Sequence, residues 1–310
     1  MTLASEAALT AFLLAVFASA IPLLLAAIGE TVGEQSGVLN VGIEGLLLVG
    51  GYFGFVATLA SGSLWLGFLC GALAGVVLGA VMMVLAVWCG VNQIVVGIGI
   101  TLAGTGVSSM LYDWAFADSR PRLGRAEQWA LFPLSELPVV GPAVFSQPGM
   151  FYLALVIAVL TSLWLTRTRP GLRLRAAGQR PASLDAVGGS VVRTRSFAVL
   201  FGGAMAGLGG AYLALVSAGT FTPGMTHGLG FLAIVVTMLA RGRVLWAVLI
   251  SLLYGLFVAA GTALQLSAIS IPSDVVTMAP FVAVMVTLVL FDGRNALPPA
   301  LAAPYVRGAR

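Results

Sequence analysis

The sequence predicts an all-α, polytopic membrane helix bundle of about nine transmembrane helices, between eight and ten. Three observations carry that prediction. Apolar residues make up 60% of the 310-residue chain and charged residues only 8%, against roughly 25% charged in an ordinary soluble domain. The mean hydropathy is +1.06. The apolar residues fall into segments of about the length a bilayer requires, roughly 20 residues each, at 7–28, 41–60, 64–89, 92–111, 149–166, 196–218, 226–240, 244–262 and 275–291. So many crossings leave no room for a separate soluble part, and residues 1–310 read as a single transmembrane domain.

The first segment is preceded by Glu6 and no basic residue. A cleavable leader would begin positively charged and have a shorter core, so residues 7–28 are expected to stay as a span. Orientation comes from the stretch 167–195, which holds seven of the 15 basic residues, all arginine, against one acid, Asp185. Connections rich in Arg stay on the cytoplasmic side. Counting outward, the Arg241/Arg243 turn and the tail containing Arg294 also fall inside. Counting back, the connection 112–148 falls outside, the stretch Glu30–Ser36 is an inside connection, and the N-terminus is external.

The net charge of +4 is explained by these connections, so no nucleic-acid partner is expected and the lipid bilayer is the surrounding medium. Cys70 and Cys89 lie in apolar stretches and are expected to pack as small hydrophobes. No metal site is expected, since the single histidine, His227, has no companion ligands at metal spacing. Asp274, after Pro272, reads as a helix cap at the interface.

Small residues mark helix contacts. Gly67, Gly71, Gly75 and Gly79 recur every four residues, as do Gly203 and Gly207, a spacing that lets membrane helices approach closely. Glycine and proline also interrupt two segments, Gly37–Gly45 (GVLNVGIEG) and the start of 225–240 at Pro223, Gly224, Gly228 and Gly230. Interrupted segments of this kind line cavities in transporters as broken helices.

A candidate solute path follows from the polar residues in apolar surroundings. Asn40 and Glu44 flank the first interruption, and a carboxylate at mid-depth is costly, about 3 kcal/mol. They either satisfy broken-helix ends or touch the solute. Asn92 and Gln93 open the span 92–111, and Thr101, Thr105 and Ser108 follow on one helical face, as pore lining or as interhelical hydrogen bonds. A neutral lining of hydroxyls and amides suits an uncharged polyhydroxylated solute better than an ion.

Absences narrow the chemistry. The chain has no lysine, hence no GxxxxGK[ST] phosphate loop, and neither HExxH nor GxSxG. No catalytic residues and no resident cofactor are expected, and the chain is not read as an enzyme. Within 167–195, Pro181 can start a short helix and Gly188-Gly189 can end it.

GVLNVGIEGLLLVGGY at 37–52 and GLRLRAAGQRPASLDAVGGS at 171–190, followed by GGAMAGLGGAYLAL, resemble the ABC importer permeases of the branch that includes ribose-type sugar, branched-chain amino-acid and nucleoside permeases. The NxGxEG pattern of Asn40 to Gly45 is most similar to the nucleoside branch. The resemblance implies an inner-membrane translocation subunit whose loop 167–195 carries a coupling helix docking on a separate ATPase subunit, with that role falling on Arg175, Ala176, Gly178, Ala182, Asp185 and Gly188. Gly189 stands where the family often has an aliphatic residue. The resemblance further implies ATP and magnesium on the partner ATPase, a second permease subunit, an extracytoplasmic substrate-binding lipoprotein, and nucleoside uptake, purine type favoured. A simple sugar or a branched-chain amino acid is the nearest alternative cargo. An ion-gradient-driven secondary transporter is the alternative of another class, and a membrane-embedded enzyme a third.

Overall fold

The structure, a computed structural model, describes residues 3–117, 119–266 and 297–305, with isolated helical positions between 278 and 289. Among the described residues, seven helices are long and apolar enough to cross a membrane. They belong to α1 (Leu3–Ser36), α2 (Ile43–Ser61), α3 (Leu64–Met82), α4 (Gln93–Ala115), α6 (Gly149–Arg167), α9 (Val191–Tyr212) and α11 (Val244–Leu266). The shorter elements are α5 (Val140–Val144), α7 (Arg169–Gln179), α8 (Pro181–Ala186) and α10 (Leu229–Ala240). The expected span at 275–291 and the expected cap Asp274 lie outside the described stretches.

α1 has 34 residues, about 51 Å at 1.5 Å per residue, and is the axis on which α9, α10 and α11 pack. The expected connection at Glu30–Ser36 is therefore corrected: these residues are the last two turns of α1. Pro22 sits inside α1 and cannot donate to the carbonyl of Ala18. Ser217 Oγ donates to that carbonyl instead, at 2.8 Å, restoring the bond that the proline removes. Ser217 lies in a π-helical turn, Leu213–Ala218, that continues α9.

α3 packs on α9 through the glycine seam. A Cβ on Gly75 would strike the backbone of Gly203 and Gly207, and one on Gly207 would strike that of Gly71. Gly67 lies against Thr58 and Gly54 of α2, and Gly79 lies 3.4 Å from the Cα of Gly203, measured from the Cβ it would carry. Here van der Waals contact between backbones holds the helices together, as expected where lipid tails compete with apolar side chains.

The connection 116–148 carries a short antiparallel pair, β1 (Gln128–Ala130) with β2 (Ser146–Pro148). Tyr152 Oη fastens it, donating toward the carbonyls of Trp129 and Val144 and accepting from the amide of Gln147 at 3.1 Å. Cys89 is exposed and Cys70 half-buried, so of the two only Cys70 packs as the apolar residue expected. Cys89 stands just beyond the π-helical turn Met83–Trp88 that ends α3.

The stretch 167–195 contains more helix than its sequence suggests. Pro181 opens α8 as expected and Gly188 has φ +79° beyond its end, but α7 precedes it and α9 begins at Val191, not at 196. Arg193 and Arg195 thus belong to α9. Gly178 of α7 packs on Gln35 and Gly37, and the Gly178 carbonyl accepts from the amide of Ala300 at 3.0 Å. The turn after α10 meets α1 there as well, since a Cβ on Gly242 would strike the Gln35 side chain. The end of α1, the C-terminal end of α7, the Arg241–Arg243 turn and residues 297–305 thus share one end of the bundle.

Candidate functional site: a carboxylate between two broken helices

α10 has only 12 residues, about 18 Å of helix against a hydrocarbon thickness of about 30 Å. Its last turn lies beside Gln35 at the end of α1, so its first turn stops inside the bundle. Three of the residues before it, Gly224, His227 and Gly228, have φ of +73°, +45° and +87°. A run with two such glycines does not continue a helix.

α2 also starts inside. After Gly37, at φ +90°, the chain turns back along α1, and the Asn40 amide donates to Glu30 Oε1 at 3.0 Å, a turn and a half before the end of α1. Asn40 Oδ1 accepts from the Gly42 amide at 3.0 Å, a local turn that starts α2 at Ile43. The Leu39 amide donates to Gln93 Oε1 at 2.9 Å.

The two internal helix starts meet at Glu44. This residue is in the first turn of α2 and is 7% exposed. Its Oε1 accepts from Thr226 Oγ1 at 2.6 Å and from the Gly228 amide at 2.8 Å, and its Oε2 accepts from the Gly230 amide at 2.6 Å. Gly230 has no side chain because the backbone of Glu44 occupies that space. The arrangement is electrostatically coherent. The first amides of any helix lack intrahelical partners and carry a partial positive charge, and two such ends here face one carboxylate.

The other candidate path residues group around this point unequally. Asn40, Glu44, Gln93 and Thr101 are brought together: Thr101 Oγ1 donates to the Val41 carbonyl at 3.1 Å, and Gly42, Gly45, Gly97 and Gly104 let the segment 41–45 lie on α4. Thr105 and Ser108 continue the same face of α4 and donate to carbonyls of their own helix, Thr101 and Thr105, at 2.8 and 3.2 Å. Asn92 is apart from the group: it is exposed and caps α4, accepting from the amides of Ile94 and Val95 at 2.9 and 3.3 Å. Sequence reasoning missed Glu30, read as part of a connection. It also missed Thr226, whose hydroxyl donates to the carboxylate of a residue 182 positions earlier in the chain, a pairing that no local pattern announces.

Of the residues expected to couple, Gly178 is buried against the body of the protein beside Ala177, whereas Ala182 and Gly188 are exposed on the free side of α7 and α8, together with their neighbours Gln179, Arg180 and Ala186. Leu184 holds α8 in place, packing with Ala177 and Val191. Gly178 is thus a packing position, while Ala182 and Gly188 lie on the accessible surface. Arg175 and Ala176 are half-buried, as is Asp185.

At the opposite end of the bundle a cavity of about 600 Å³ opens among Thr58, Trp65, Arg122, Arg125, Glu127 and Trp129. Among the described residues no three His, Cys, Asp or Glu side chains group as metal ligands.

The chain matches the family of the branched-chain amino acid transport system permease component over residues 12–290. It is 36% identical over 275 residues to a Haloferax volcanii protein named "Putative glucose ABC transporter permease protein TsgC13", covering 86% of this chain and 80% of that one. It is 32% identical over 298 residues to the nucleoside ABC transporter permease protein NupC of Lactococcus lactis, covering 92% and 93%. It is 29% identical over 307 residues to the guanosine ABC transporter permease protein NupQ of Bacillus subtilis, covering 94% and 95%. A solved structure titled "An inward-facing conformation of a putative metal-chelate type ABC transporter" has the same fold, with a TM-score of 0.51 at 15% identity over 90% of this chain and 85% of that one. With its broken helices, its interior carboxylate and a family match across nearly its whole length, the chain belongs to the branched-chain amino acid transport system permease family, the membrane-spanning permeases of ABC importers.

Proposed function

We propose that this chain is the translocating subunit of an ATP-driven nucleoside importer, lying in the bacterial inner membrane with the α7–α8 segment on the cytoplasmic side and the N-terminus outside. The observation that carries the reading is the Glu44 junction. The start of α2 and the start of the short helix α10, meeting inside the bundle, form a centre that can part without breaking a continuous helix, which is what alternating access asks of a translocator. Nucleosides are favoured because two relatives named for nucleoside or guanosine transport match more than 90% of both chains. Asn40, Glu44, Gln93 and Thr101 supply amide, carboxylate and hydroxyl groups suited to ribose hydroxyls and base edges.

Energy enters through a partner. α7 and α8 dock on a separate ATPase subunit that holds ATP and magnesium, through Arg175, Ala176, Ala182, Asp185 and Gly188, with Gly178 seating the pair on α1. A second permease subunit completes the pathway and an external lipoprotein delivers the cargo. The 36% identity to a glucose-type permease favours a sugar as the second reading. Uptake of labelled guanosine, uridine, glucose and leucine by cells with and without this chain, repeated after ATP depletion, decides between them. ATP-dependent loss of nucleoside uptake alone is expected. Loss of glucose uptake alone moves the cargo to sugars, and uptake that survives ATP depletion overturns the coupling.

A further inference from the structure

The two helices that flank the coupling segment carry a feature that transport does not account for. α6 ends at Arg167 and α9 has Arg193 as its third residue; both are exposed. Trp164 lies one turn before Arg167, and Phe197 and Phe201 follow Arg193 at four-residue steps, so each arginine shares a helical face with aromatic rings. The Trp164 and Phe197 rings are 5.6 Å apart, joining α6 to α9, and Phe197 stacks on Phe201 at 6.1 Å. Phe197 is 51% exposed and Trp164 and Phe201 are half-buried on either side of it, which places the edge of an aromatic ladder on the outer, lipid-facing surface below two guanidinium groups.

A second indole fixes the level. Trp88 is exposed and its Nε1 donates to Ser196 Oγ at 2.9 Å, so Trp88 and Trp164 flank α9 at Ser196 and Phe197. Tryptophans gather where hydrocarbon meets headgroups. Arg193 is one turn beyond them, at headgroup height. The neck itself is tightly built. Thr168 Oγ1 donates to the Trp164 carbonyl at 2.7 Å and accepts from the Gly171 amide at 3.2 Å, and Gly171 lies on the backbone of Trp164 and Leu165.

We propose that an anionic phospholipid binds this α6–α9 surface, its phosphate held by Arg167 and Arg193 and an acyl chain lying over Phe197 and Phe201. Charge complementarity supports this occupant: the stretch 167–195 has seven arginines and one acid, guanidinium pairs phosphate with two parallel hydrogen bonds, and the surface below is apolar. The lipid spans the entry and exit of the coupling segment, so it tethers both ends of α7–α8 to one leaflet. The site rests only on the chain being in a membrane, not on the cargo.

The test uses the full chain in phosphatidylcholine nanodiscs, with phosphatidylglycerol added in steps while thermal unfolding is followed. A saturable rise in Tm is expected for the wild type and for R122Q/R125Q, at the far end of the bundle. R167Q/R193Q is expected to bind phosphatidylglycerol more weakly by about fivefold per guanidinium, about 25-fold together, and R167K/R193K to retain the rise. An unchanged response in R167Q/R193Q, or an equal rise produced by inorganic phosphate without the lipid, overturns the proposal. Uptake measurements with the same variants are independent, so a wrong cargo leaves this result standing.

Discussion

Glu44 and Arg195 are both buried charges in an apolar bundle, and they solve opposite problems. Glu44 accepts from the start of α10 and from Thr226. Arg195, 3% exposed, donates: Nε to the Ser36 carbonyl at the end of α1 at 3.2 Å, Nη1 to the Ala303 carbonyl at 2.8 Å and Nη2 to the Ala300 carbonyl at 3.3 Å. Each charge faces the helix end of opposite partial charge, positive at an N-terminus and negative at a C-terminus. They differ in what surrounds the bonds. Glu44 joins the starts of α2 and α10 inside the bundle, whereas Arg195 gathers the end of α1 and the tail near the aqueous end. Burial depth, more than charge, should therefore decide how much each contributes.

The largest expected effect tests that statement. Glu44→Leu leaves the Thr226 hydroxyl and the Gly228 and Gly230 amides buried without an acceptor, at about 1–3 kcal/mol each before relaxation, so a loss of about 4 kcal/mol and no uptake are expected. Glu44→Gln keeps the shape and one acceptor oxygen and should lose about half as much. Thermal unfolding in detergent reads both. Equal stability of Glu44→Leu and wild type would mean that the junction is not held by this carboxylate.

A seam without charges provides the apolar counterpart. Gly203→Ala puts a methyl into the backbone of Gly75, where neither side can turn away, and a loss of about 3 kcal/mol is expected, at the upper end of overpacking. Arg195→Met comes next, at about 2 kcal/mol, because water can reach the carbonyls of Ala300 and Ala303 but not that of Ser36. If Arg195→Met proved worse than Glu44→Leu in the same unfolding assay, the ranking by depth would be reversed.

These residues also show what could be read in the sequence. The spans were legible from apolar length, and both helix breaks from glycine and proline, since positive φ leaves few other residues. Glu30 was not: two acids in seven residues with no base resemble a connection, and only the returning Asn40 amide, ten residues on, explains a buried carboxylate. Arg195 was hidden by composition, because six other arginines in the stretch drew it into the loop. Its periodicity held the signal, since Val191, Arg195, Ala198 and Val199 share one helical face and all are buried. A charge on an apolar face of a span marks a partner that arrives from distant sequence, here α1 and residues 300–303. Register could have raised that question, but the partner is set by tertiary packing.

The smallest effect sharpens the comparison most finely. Thr101 is half-buried and its hydroxyl spans two elements, donating to the Val41 carbonyl just before α2, whereas the Thr105 hydroxyl returns to its own helix. Hydrogen bonds between membrane helices contribute on average about 0.6 kcal/mol. Thr101→Val should therefore lower stability by about that amount and Thr105→Val by less, since a bond to the helix's own carbonyl only supplements the ladder. The stability measurement alone cannot reveal a role in the path, so the pair is read again in uptake. On the proposed nucleoside cargo, if Thr101 only holds the 41–45 segment on α4, Thr101→Val slows all nucleosides equally. If it also meets the cargo, the ratio of guanosine to uridine uptake shifts while Thr105→Val leaves that ratio unchanged. An altered ratio with both variants would instead make the whole α4 face the lining, and Glu44 one contact among several.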